Sequence, residues 1–291
     1  MLAARELPDF DALTYPIWGS PKLDGVRAIV KNGKVLSRTL EIFPNKAAQN
    51  FAHLEGLDGE FLVGSPVDEQ VRNITSGMMN RKQDDAPGLK FYVFDVWDHD
   101  DTFDQRMEEL KCMAVGETDI VVVPHTLLNS KEELLALEAL YLKQGYEGLI
   151  LRSCDGKYKF GRSTLKEQGM LKVKRFLDAE ARVLRVNEEM KNTNKAEKNN
   201  LGRTKRSKAK EGMVGKGRAG ELEVVGLNGA FKDVEFVVPL GGAGDEGKAW
   251  WWDHRNDKKL PVVTYKYFPK GTKDKPLLTT YVGIREDWDQ S

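Results

Sequence analysis

The sequence has very few of the residues that build disulfide frameworks or thiolate metal sites. Its 291 residues include two cysteines, Cys112 and Cys154, and four histidines without ligand spacing. A disulfide-stapled secreted fold and a structural zinc site are therefore excluded. No apolar run approaches the roughly 18 residues of a membrane span, and the first residues lack the basic, apolar and small-residue order of a signal peptide. We expect a cytoplasmic protein with no membrane partner.

The chain also has no net charge at pH 7, but the charge is unevenly distributed. Residues 1 to 178 carry 23 Lys+Arg against 28 Asp+Glu, whereas residues 179 to 291 carry 22 against 17. Ten cations and only two acids fall between residues 191 and 218; the cations are Lys191, Lys195, Lys198, Arg203, Lys205, Arg206, Lys208, Lys210, Lys216 and Arg218. This segment is either a solvated linker or an arm that orders on a polyanion. We expect it to lack order without such a partner.

Strand and helix signals alternate as far as residue 176. Strands are predicted at 26–31, 34–38, 57–63, 89–97, 147–152 and 170–174, with a tight turn at Asn32-Gly33. One helix is expected to begin at Ser65-Pro66, and a second to follow a capping box of Ser130 and Glu133 and end at Gly145. These signals predict an α+β domain over residues 1–176.

From Ala179 onward the pattern predicts strands without helices. The strands are expected at 179–186, 221–225, 234–238, 260–267 and 279–285, with glycine-rich connections typical of a small closed barrel. We predict a β-barrel domain of the OB type over residues 177–291. The basic segment becomes an insertion, at about 188–219, between its first two strands. Insertions of this length are more often functional or disordered than structural.

The strongest chemical signal is Lys22, within Pro21-Lys22-Leu23-Asp24-Gly25-Val26-Arg27. A lysine amine attacks a phosphoryl or acyl centre only when it is deprotonated, and neighbouring cations or partial desolvation favour that state. The pattern is short, however, and a surface lysine beside an Asp-Gly turn also fits it. The rest of the first domain decides between the two.

Further polar and aromatic residues follow in order on the predicted strands. Lys172 and Lys174 alternate with apolar residues and share one strand face, where they could hold a triphosphate and lower the pKa of Lys22 by like-charge repulsion. Glu147 suits Mg²⁺, Glu60 suits a ribose, and Phe94 suits stacking on a base. Each residue alone fits an ordinary structural role, but their joint order favours a nucleotide site.

With these residues in place, the chain resembles the covalent nucleotidyltransferases, and among them the ATP-dependent DNA ligases. K-L-D-G-V-R resembles motif I of that family, L-D-G-E-F motif III, F-Y-V-F-D-V motif IIIa, E-G-L-I-L-R motif IV and L-K-V-K motif V. The resemblance extends over nearly the whole chain and is strongest to the minimal viral and phage type, as in Chlorella virus, which has only an adenylation domain and an OB domain. The basic segment, with K-N-T-N and K-R-S, resembles the latch that closes around nicked DNA in that type.

The resemblance implies a role for each matching residue. Lys22 would attack the ATP α-phosphate to form a lysyl-AMP intermediate, Asp24 would act when the nick is sealed, and Lys172 and Lys174 would contact the α-phosphate. Mg²⁺ or Mn²⁺ would be held by Glu147 and Glu60. The implied nucleotide contacts also include Arg27, Arg38, Glu60, Phe94, Glu147, Arg285 and Asp287. The implied contacts to nicked double-stranded DNA are Arg38, Arg162, Lys191, Lys195, Arg203, Lys205, Arg206, Lys208 and Lys210. The protein would act as a monomer that encircles the DNA.

One departure and two alternatives accompany this interpretation. The C-terminal motif VI of the family often ends in lysine, where this chain has Trp288, although Arg285 and Asp287 match. An RNA ligase or an mRNA-capping nucleotidyltransferase shares the lysine motif. A non-catalytic OB-type nucleic-acid binder would need none of the strand-borne polar residues.

Overall fold

The computed structural model describes residues 1–5, 7–269 and 274–285. It divides between Lys174 and Arg175 into two compact units. The sequence-based boundary lies two residues later, after residue 176. The predicted nucleotide contact Asp287 and the neighbouring Trp288 lie outside the described residues.

The first unit contains two sheets and three helices. Its strands are β1 (Ile17–Pro21), β2 (Val26–Lys31), β3 (Lys34–Ser37), β4 (Leu57–Val63), β5 (Leu89–Val96), β6 (Ile120–Val122), β7 (Thr126–Leu128), β8 (Leu149–Ser153) and β9 (Leu171–Val173). Its helices are α1 (Val71–Met79), α2 (Phe103–Met113) and α3 (Lys131–Lys143). One sheet has the order β3-β2-β4-β5-β6 and the other β7-β1-β8-β9. All pairs are antiparallel except β5 with β6.

The hairpin of β2 and β3 follows directly from its turn sequence. Asn32 and Gly33 both have positive φ, 55° and 64°, as a two-residue hairpin turn requires. The hydrophobic side of this sheet packs around a ring cluster in which Phe51, Phe61 and Phe91 lie 4.9 to 5.6 Å apart between centroids. This core fixes β2 and β4, the strands that carry Arg27 and Glu60.

The first predicted helix start was wrong. Helix α1 begins at Val71, not at Ser65-Pro66, because the Ser65 and Asp68 side chains stabilise turns instead. The backbone N–H of Gln70 donates to Asp68 Oδ1 at 2.6 Å, and that of Val67 donates to Ser65 Oγ at 3.5 Å. Side chains of this kind compete with helix formation when they bond to nearby backbone groups.

Helix α3 confirms one half of its predicted capping box. Ser130 Oγ accepts a hydrogen bond from Glu133 N at 3.3 Å, but the Glu133 carboxylate accepts from Asn129 N at 2.8 Å rather than from Ser130 N. The helix ends as predicted before Gly145, whose φ is 92°.

The second unit is a five-stranded antiparallel sheet with one helix and one long hairpin. Its elements are β10 (Leu177–Asn192), β11 (Ala196–Lys198), β12 (Thr204–Arg206), β13 (Met213–Gly226), β14 (Glu235–Pro239), α4 (Gly244–Asp253), β15 (Val262–Phe268) and β16 (Leu277–Ile284). The sheet order is β14-β13-β10-β15-β16. The edge strands β14 and β16 approach each other where Thr279 Oγ1 donates to Val237 O at 2.8 Å. All five predicted strands are present.

Helix α4 contradicts the prediction that this half of the chain has no helix. Trp251, the second of its three consecutive tryptophans, is 1% exposed and belongs to the core of the second unit. The run of three tryptophans has the composition of a strand, so composition misled the prediction. Burial of one indole against the sheet outweighs that preference.

The basic segment is more ordered than composition predicted. Strands β10 and β13 stay paired as far as Asn192 and Met213, and β11 and β12 then form a separate two-stranded ladder. The Asn194 side-chain amide donates to Ser207 O at 3.0 Å and to Ala209 O at 2.9 Å. Side-chain hydrogen bonds thus supply the order that apolar burial could not. We call residues 193–212 the basic hairpin.

Helices of the described chain are all too short or too polar to span a bilayer.

A buried ion network joins the two sheets of the first unit. Asp95 on β5 accepts hydrogen bonds from Arg106 of α2, at 2.7 Å from Nε, and from Arg152 of β8. All three side chains are at most 2% exposed. Burial by itself would raise the pKa of Asp95, but the two guanidinium groups outweigh it and lower this pKa. The network therefore holds β8 against β5 with its charges ionised.

We expect Asp95→Asn to destabilise the protein by about 3–5 kcal/mol, because it leaves two buried arginines without their anion. Asp100→Asn is the matched control: Asp100 pairs with Lys157 at 2.9 Å, and both side chains are largely exposed. Its expected cost is below about 1 kcal/mol. Denaturant unfolding measures both, and equally small losses would show that the network contributes little.

Candidate active site

Lys22 lies at the point where three strands of the second sheet converge. Directly after β1, its backbone N–H donates to Gly148 O at 2.9 Å, and its carbonyl accepts from Glu147 N at 3.3 Å. Gly148 has a φ of 143°, and a Cβ there would lie 2.1 Å from Val173 O. Only glycine lets β8 approach β9 this closely, so the sequence Glu147-Gly148 holds Glu147 beside Lys22.

The Glu147 carboxylate bridges two lysines. One oxygen accepts from Lys22 Nζ and the other from Lys174 Nζ, while the Glu147 side chain is only 4% exposed. Burial alone would raise the pKa of Glu147, but the two ammonium groups lower it. Glu147 is therefore an anion held by two cations.

The expected effect on Lys22 was wrong in sign. Burial does lower the pKa of Lys22, but the carboxylates of Glu147, Glu60 and Asp24 together outweigh burial and raise it. The sequence suggested that Lys172 and Lys174 would lower this pKa, yet Lys174 is itself bound to Glu147. In this state Lys22 is an ammonium ion.

Glu60 is the carboxyl group of this site whose pKa is raised. Burial raises its pKa to about 7, an effect opposed by Lys22 and Arg27 and supported by Glu147 and Asp24. Within the described residues its carboxyl makes no hydrogen bond to another side chain. Glu60 is thus an uncommitted acid facing the same cluster of charges.

A cavity of about 160 Å³ opens beside these residues. Its polar lining includes Lys22, Arg27, Glu60 and Lys172, and Phe94 lies on one wall. Its apolar lining comes from other strands and loops: Leu2, Ala3, Pro21, Leu23, Val123, Ile150 and Met170. Typical pockets for drug-sized ligands hold about 300–1,000 Å³, so this cavity encloses part of a ligand, such as a flat base.

Arg27 is committed to protein partners. Its Nε donates to Asp58 Oδ1 at 2.5 Å, its Nη2 donates to the other oxygen, and its Cζ lies 5.3 Å from the centroid of the Phe94 ring. Asp58 is 1% exposed and also accepts from the Tyr158 hydroxyl at 2.7 Å. In this structure Arg27 lies over the Phe94 ring and also lines the cavity, and the nucleotide contact that the resemblance implied stays a prediction.

The two lysines of L-K-V-K have different surroundings. Lys174 is bound to Glu147, whereas Lys172 lines the cavity and forms no ion pair within the described chain. Burial lowers the pKa of Lys172, and the nearby charges of Lys174, Lys22 and Arg162 lower it further. Lys172 is thus the cation best placed to accept an anionic ligand.

The remaining predicted residues of the first unit lie around this centre. Asp24 is 8% exposed and accepts from Arg72 Nη1 at 3.2 Å. Arg162 donates to Ala3 O at 2.6 Å and acts electrostatically on Lys172. Arg38 follows β3, is exposed, and is not part of the cavity lining.

In the second unit the structure places Arg285 after β16, ion-paired with Glu180 of β10. The predicted DNA contacts on the basic segment are all exposed: Lys191, Lys195, Arg203, Lys205, Arg206, Lys208 and Lys210. Of these, Arg206 donates to Asn194 O within the hairpin.

Sequence reasoning missed His125 and Arg152 in the cavity lining. Burial lowers the pKa of His125 to about 4, so the ring is neutral, and its Nδ1 donates to Val123 O at 2.8 Å. No spacing pattern marks His125, because its neighbours in the site are distant in the chain. Arg152 ends the motif E-G-L-I-L-R, and that position was the available signal.

The titration of Glu60 predicts how stability depends on pH. An unfolded Glu60 loses its proton near pH 4.5 and the folded one near pH 7, so the folded state binds more protons between these values and loses stability as pH rises. We expect Glu60→Gln to be more stable than the parent protein at pH 8, by at most about 3 kcal/mol. The advantage should vanish below pH 4.5.

Denaturant unfolding at several pH values checks this expectation. Glu69→Gln, an exposed carboxyl before α1, is the matched control and should show a flat difference. A Glu60→Gln difference that does not change with pH would contradict it.

Comparisons with known proteins agree with this geometry. The family model described as ATP-dependent DNA ligase domain matches residues 12–174, more than half of the chain. The DNA ligase of African swine fever virus is 32% identical over 112 residues, which are 36% of this chain and 26% of that protein. The match thus spans about a quarter of the length of this curated relative.

Two solved structures extend the likeness to both units. The DNA ligase-adenylate of Chlorella virus matches at a TM-score of 0.53 with 26% identity and covers 98% of each chain. A Lig E DNA ligase matches at a TM-score of 0.69 with 22% identity and covers 98% of this chain and all of the other. These neighbours confirm the predicted fold class, an α+β adenylation domain followed by an OB-fold domain.

Proposed function

Because the chain belongs to the ATP-dependent DNA ligase family, we propose that it seals nicks between a 3′-hydroxyl and a 5′-phosphate in duplex DNA. The observation that carries the proposal is a cavity lined by Lys22, Lys172, Glu60 and Phe94, at which Lys22 is held by Glu147. The same carboxylate also binds Lys174. The matched family makes an RNA ligase or a capping enzyme less favoured. The gathering of strand-borne polar residues likewise disfavours a non-catalytic binder.

The first step would form a phosphorus–nitrogen bond. The lone pair of Lys22 Nζ attacks the α-phosphorus of ATP, the bond to the bridging oxygen breaks, and pyrophosphate leaves with that electron pair. The amine loses a proton in the process. Phe94, with Arg27 behind its ring, would stack on the adenine, and Glu60 would accept from the ribose hydroxyls. Lys172 would neutralise charge that develops on the α-phosphate.

The residues also fit a divalent cation. Mg²⁺ prefers one or two carboxylates together with substrate phosphates, and Glu60 and Glu147 offer such oxygens beside the cavity. Bound there, Mg²⁺ or Mn²⁺ would neutralise phosphate charge. Glu147, when engaged as a metal ligand, would no longer hold Lys22 as an ammonium, and the pKa of Lys22 would fall.

Two further steps would complete the reaction. The AMP group would pass from Lys22 to the 5′-phosphate of the nick, with Arg162 and Arg38 as candidate contacts to that phosphate. The 3′-hydroxyl would then attack this phosphate and release AMP. Asp24, a buried carboxylate two residues from Lys22, is the candidate for this last step.

The exposed cations of the basic hairpin are candidates for contacts to the DNA backbone. Each cation that neutralises a phosphate releases condensed counterions, which makes binding depend on salt. We propose that the protein acts as a monomer whose hairpin helps it to encircle the duplex.

We expect Lys22→Ala to abolish covalent labelling by α-labelled ATP and all sealing of nicked DNA, because no other group supplies the attacking amine. Lys34→Ala, an exposed lysine at the start of β3, should leave both unchanged. Covalent labelling of the protein by ATP but not by GTP would separate this activity from that of a capping enzyme. Sealing of nicked DNA in preference to nicked RNA would separate it from that of an RNA ligase. A labelled Lys22→Ala protein would overturn the assignment of the nucleophile.

Replacing residues 193–212 with Asn-Gly should weaken binding to nicked DNA by at least about tenfold and flatten its salt dependence, because seven cations are removed. Asn192 and Met213 are paired partners, so a two-residue turn closes the ladder without disturbing it. Lysyl-AMP formation should stay nearly intact. Unchanged affinity for nicked DNA across salt concentrations would exclude the hairpin from the DNA contact.

Arg285→Ala should slow lysyl-AMP formation by at least tenfold while sparing the sealing of pre-adenylated nicked DNA, if Arg285 orients the leaving pyrophosphate. Arg255→Ala, an exposed arginine that stacks on Trp252 after α4, is the matched control and should affect neither step. Equal losses in lysyl-AMP formation and in sealing would refute a role of Arg285 in the first step alone.

A further inference from the structure

Several charged side chains meet on one carboxylate at the base of the basic hairpin. Glu189 of β10 accepts from Lys216 Nζ at 2.5 Å, from Arg218 Nε at 2.7 Å and from Lys248 Nζ at 3.1 Å. Arg218 also donates from Nη1 to Asp245 Oδ1 at 2.6 Å. Lys216 and Arg218 belong to β13, and Lys248 and Asp245 to α4. One carboxylate therefore ties together two strands and a helix.

The backbone is irregular at the same place. On β10 the register shifts on both sides of Glu188. Glu188 pairs with Ala219 of β13, and the next paired residue, Met190, pairs with Gly215. Residues 216–218 of β13 are left without strand partners opposite Glu189. Extra unpaired residues bend a strand and increase its twist. The ladder alone thus does not fix the direction in which the hairpin leaves the five-stranded sheet.

The neighbouring glycines let the acidic pair of β10 approach β13 closely. A Cβ at Gly220 would lie 2.7 Å from Glu189 Cα, and one at Gly215 would lie 2.2 Å from Glu188 Oε1. Gly217 has a φ of 68°, and its N–H donates to Glu188 Oε1 at 2.7 Å. Side-chain contacts from Glu188 and Glu189 thus replace the missing backbone pairs.

We propose that Glu189 is a positioning residue that fixes the direction of the basic hairpin and thereby the discrimination of nicked from intact DNA. The inference rests on the proposed function, in which the hairpin contacts DNA. The three cations lower the pKa of Glu189 to about 2, so the carboxylate stays ionised at neutral pH. Its exposed fraction is 21%, which leaves this cluster within reach of solvent.

Loss of Glu189 would have two opposite effects. The freed charges of Lys216, Arg218 and Lys248 would strengthen general attraction to any duplex. The hairpin, however, would no longer leave the five-stranded sheet in one fixed direction, and its contacts to the nick would weaken. A change in charge alone cannot produce both effects, so their combination identifies positioning.

The test compares full-length Glu189→Gln, Glu189→Asp and Lys248→Gln with Glu246→Gln, which removes one negative charge from an exposed position of α4. Fluorescence anisotropy measures affinity for a nicked duplex and for the intact duplex of the same sequence. Glu189→Gln should bind the intact duplex at least as tightly as the parent protein, while the ratio of the two affinities falls by at least about fivefold. Glu189→Asp should restore part of the ratio, and Glu246→Gln should leave it unchanged.

Lys248→Gln covers the case in which Glu189→Gln does not fold, because it removes only the α4 arm of the cluster. It should lower the same ratio by a smaller factor. An unchanged ratio in both variants, or equal changes in Glu189→Gln and Glu246→Gln, would overturn the inference. A parent protein that shows no lysyl-AMP formation and no preference for nicked DNA would instead overturn the proposed function.

Discussion

The first unit depends on the bridge that Glu147 makes between Lys22 and Lys174. These three side chains come from the end of β1, the start of β8 and the end of β9, so the bridge fixes the relative positions of three strands. The bridge requires Gly148, whose φ of 143° lets β8 and β9 approach each other. A buried anion between two cations is stable only while both partners stay in place. The same contact therefore stabilises the fold and holds Lys22 in its protonated state.

The positive and negative side chains around the cavity beside the bridge nearly balance one another. Glu60 and Glu147 offset Lys22, Lys172 and Lys174, and burial amplifies each interaction because the local dielectric is lower than in water. A ligand rich in phosphate would compete with the carboxylates for the lysines, and a divalent cation would compete with the lysines for the carboxylates. If the phosphate-rich ligand and the divalent cation bound together, the lysines would pair with phosphate and the carboxylates with the cation. No buried charge would then be left unpaired. This balance of charges fits the nucleotide and the divalent cation that we propose as ligands.

Local signals predicted much of the fold correctly. The Asn32-Gly33 turn fixed the first hairpin because two adjacent residues determine it, and the same holds for the stop at Gly145. Helix α4 was missed because the burial of Trp251 is a tertiary effect that residue preference does not contain. The start of α1 was misplaced because the Ser65 and Asp68 side chains stabilised turns instead of a helix. The order of the basic hairpin depends on amide contacts from Asn194 that composition does not reveal.

In the candidate site, too, local sequence patterns predicted some features, whereas contacts between distant residues could not be predicted. Strand alternation and motif order pointed to Lys22, Glu60, Phe94, Glu147, Lys172 and Lys174, and the structure brings these residues together. The partners of Arg27 and Asp95 were not predictable, since Asp58 and Arg152 are distant in the chain. The predicted direction of the Lys22 pKa shift was wrong for a related reason. Like-charge repulsion was inferred from two lysines on one strand, whereas the structure adds the carboxylates of Glu147 and Glu60 from other segments and that of Asp24 from the same segment.

The most direct test of this account is the pKa of the Lys22 amine. Heteronuclear NMR of the lysine side-chain carbons can follow its titration in the parent protein and in Glu147→Gln, with Lys34 as an exposed internal reference. We predict that the pKa of Lys22 lies above the ordinary value of a lysine in the parent protein and falls when Glu147 is replaced by the neutral glutamine. The same pKa for Lys22 in both proteins would contradict it.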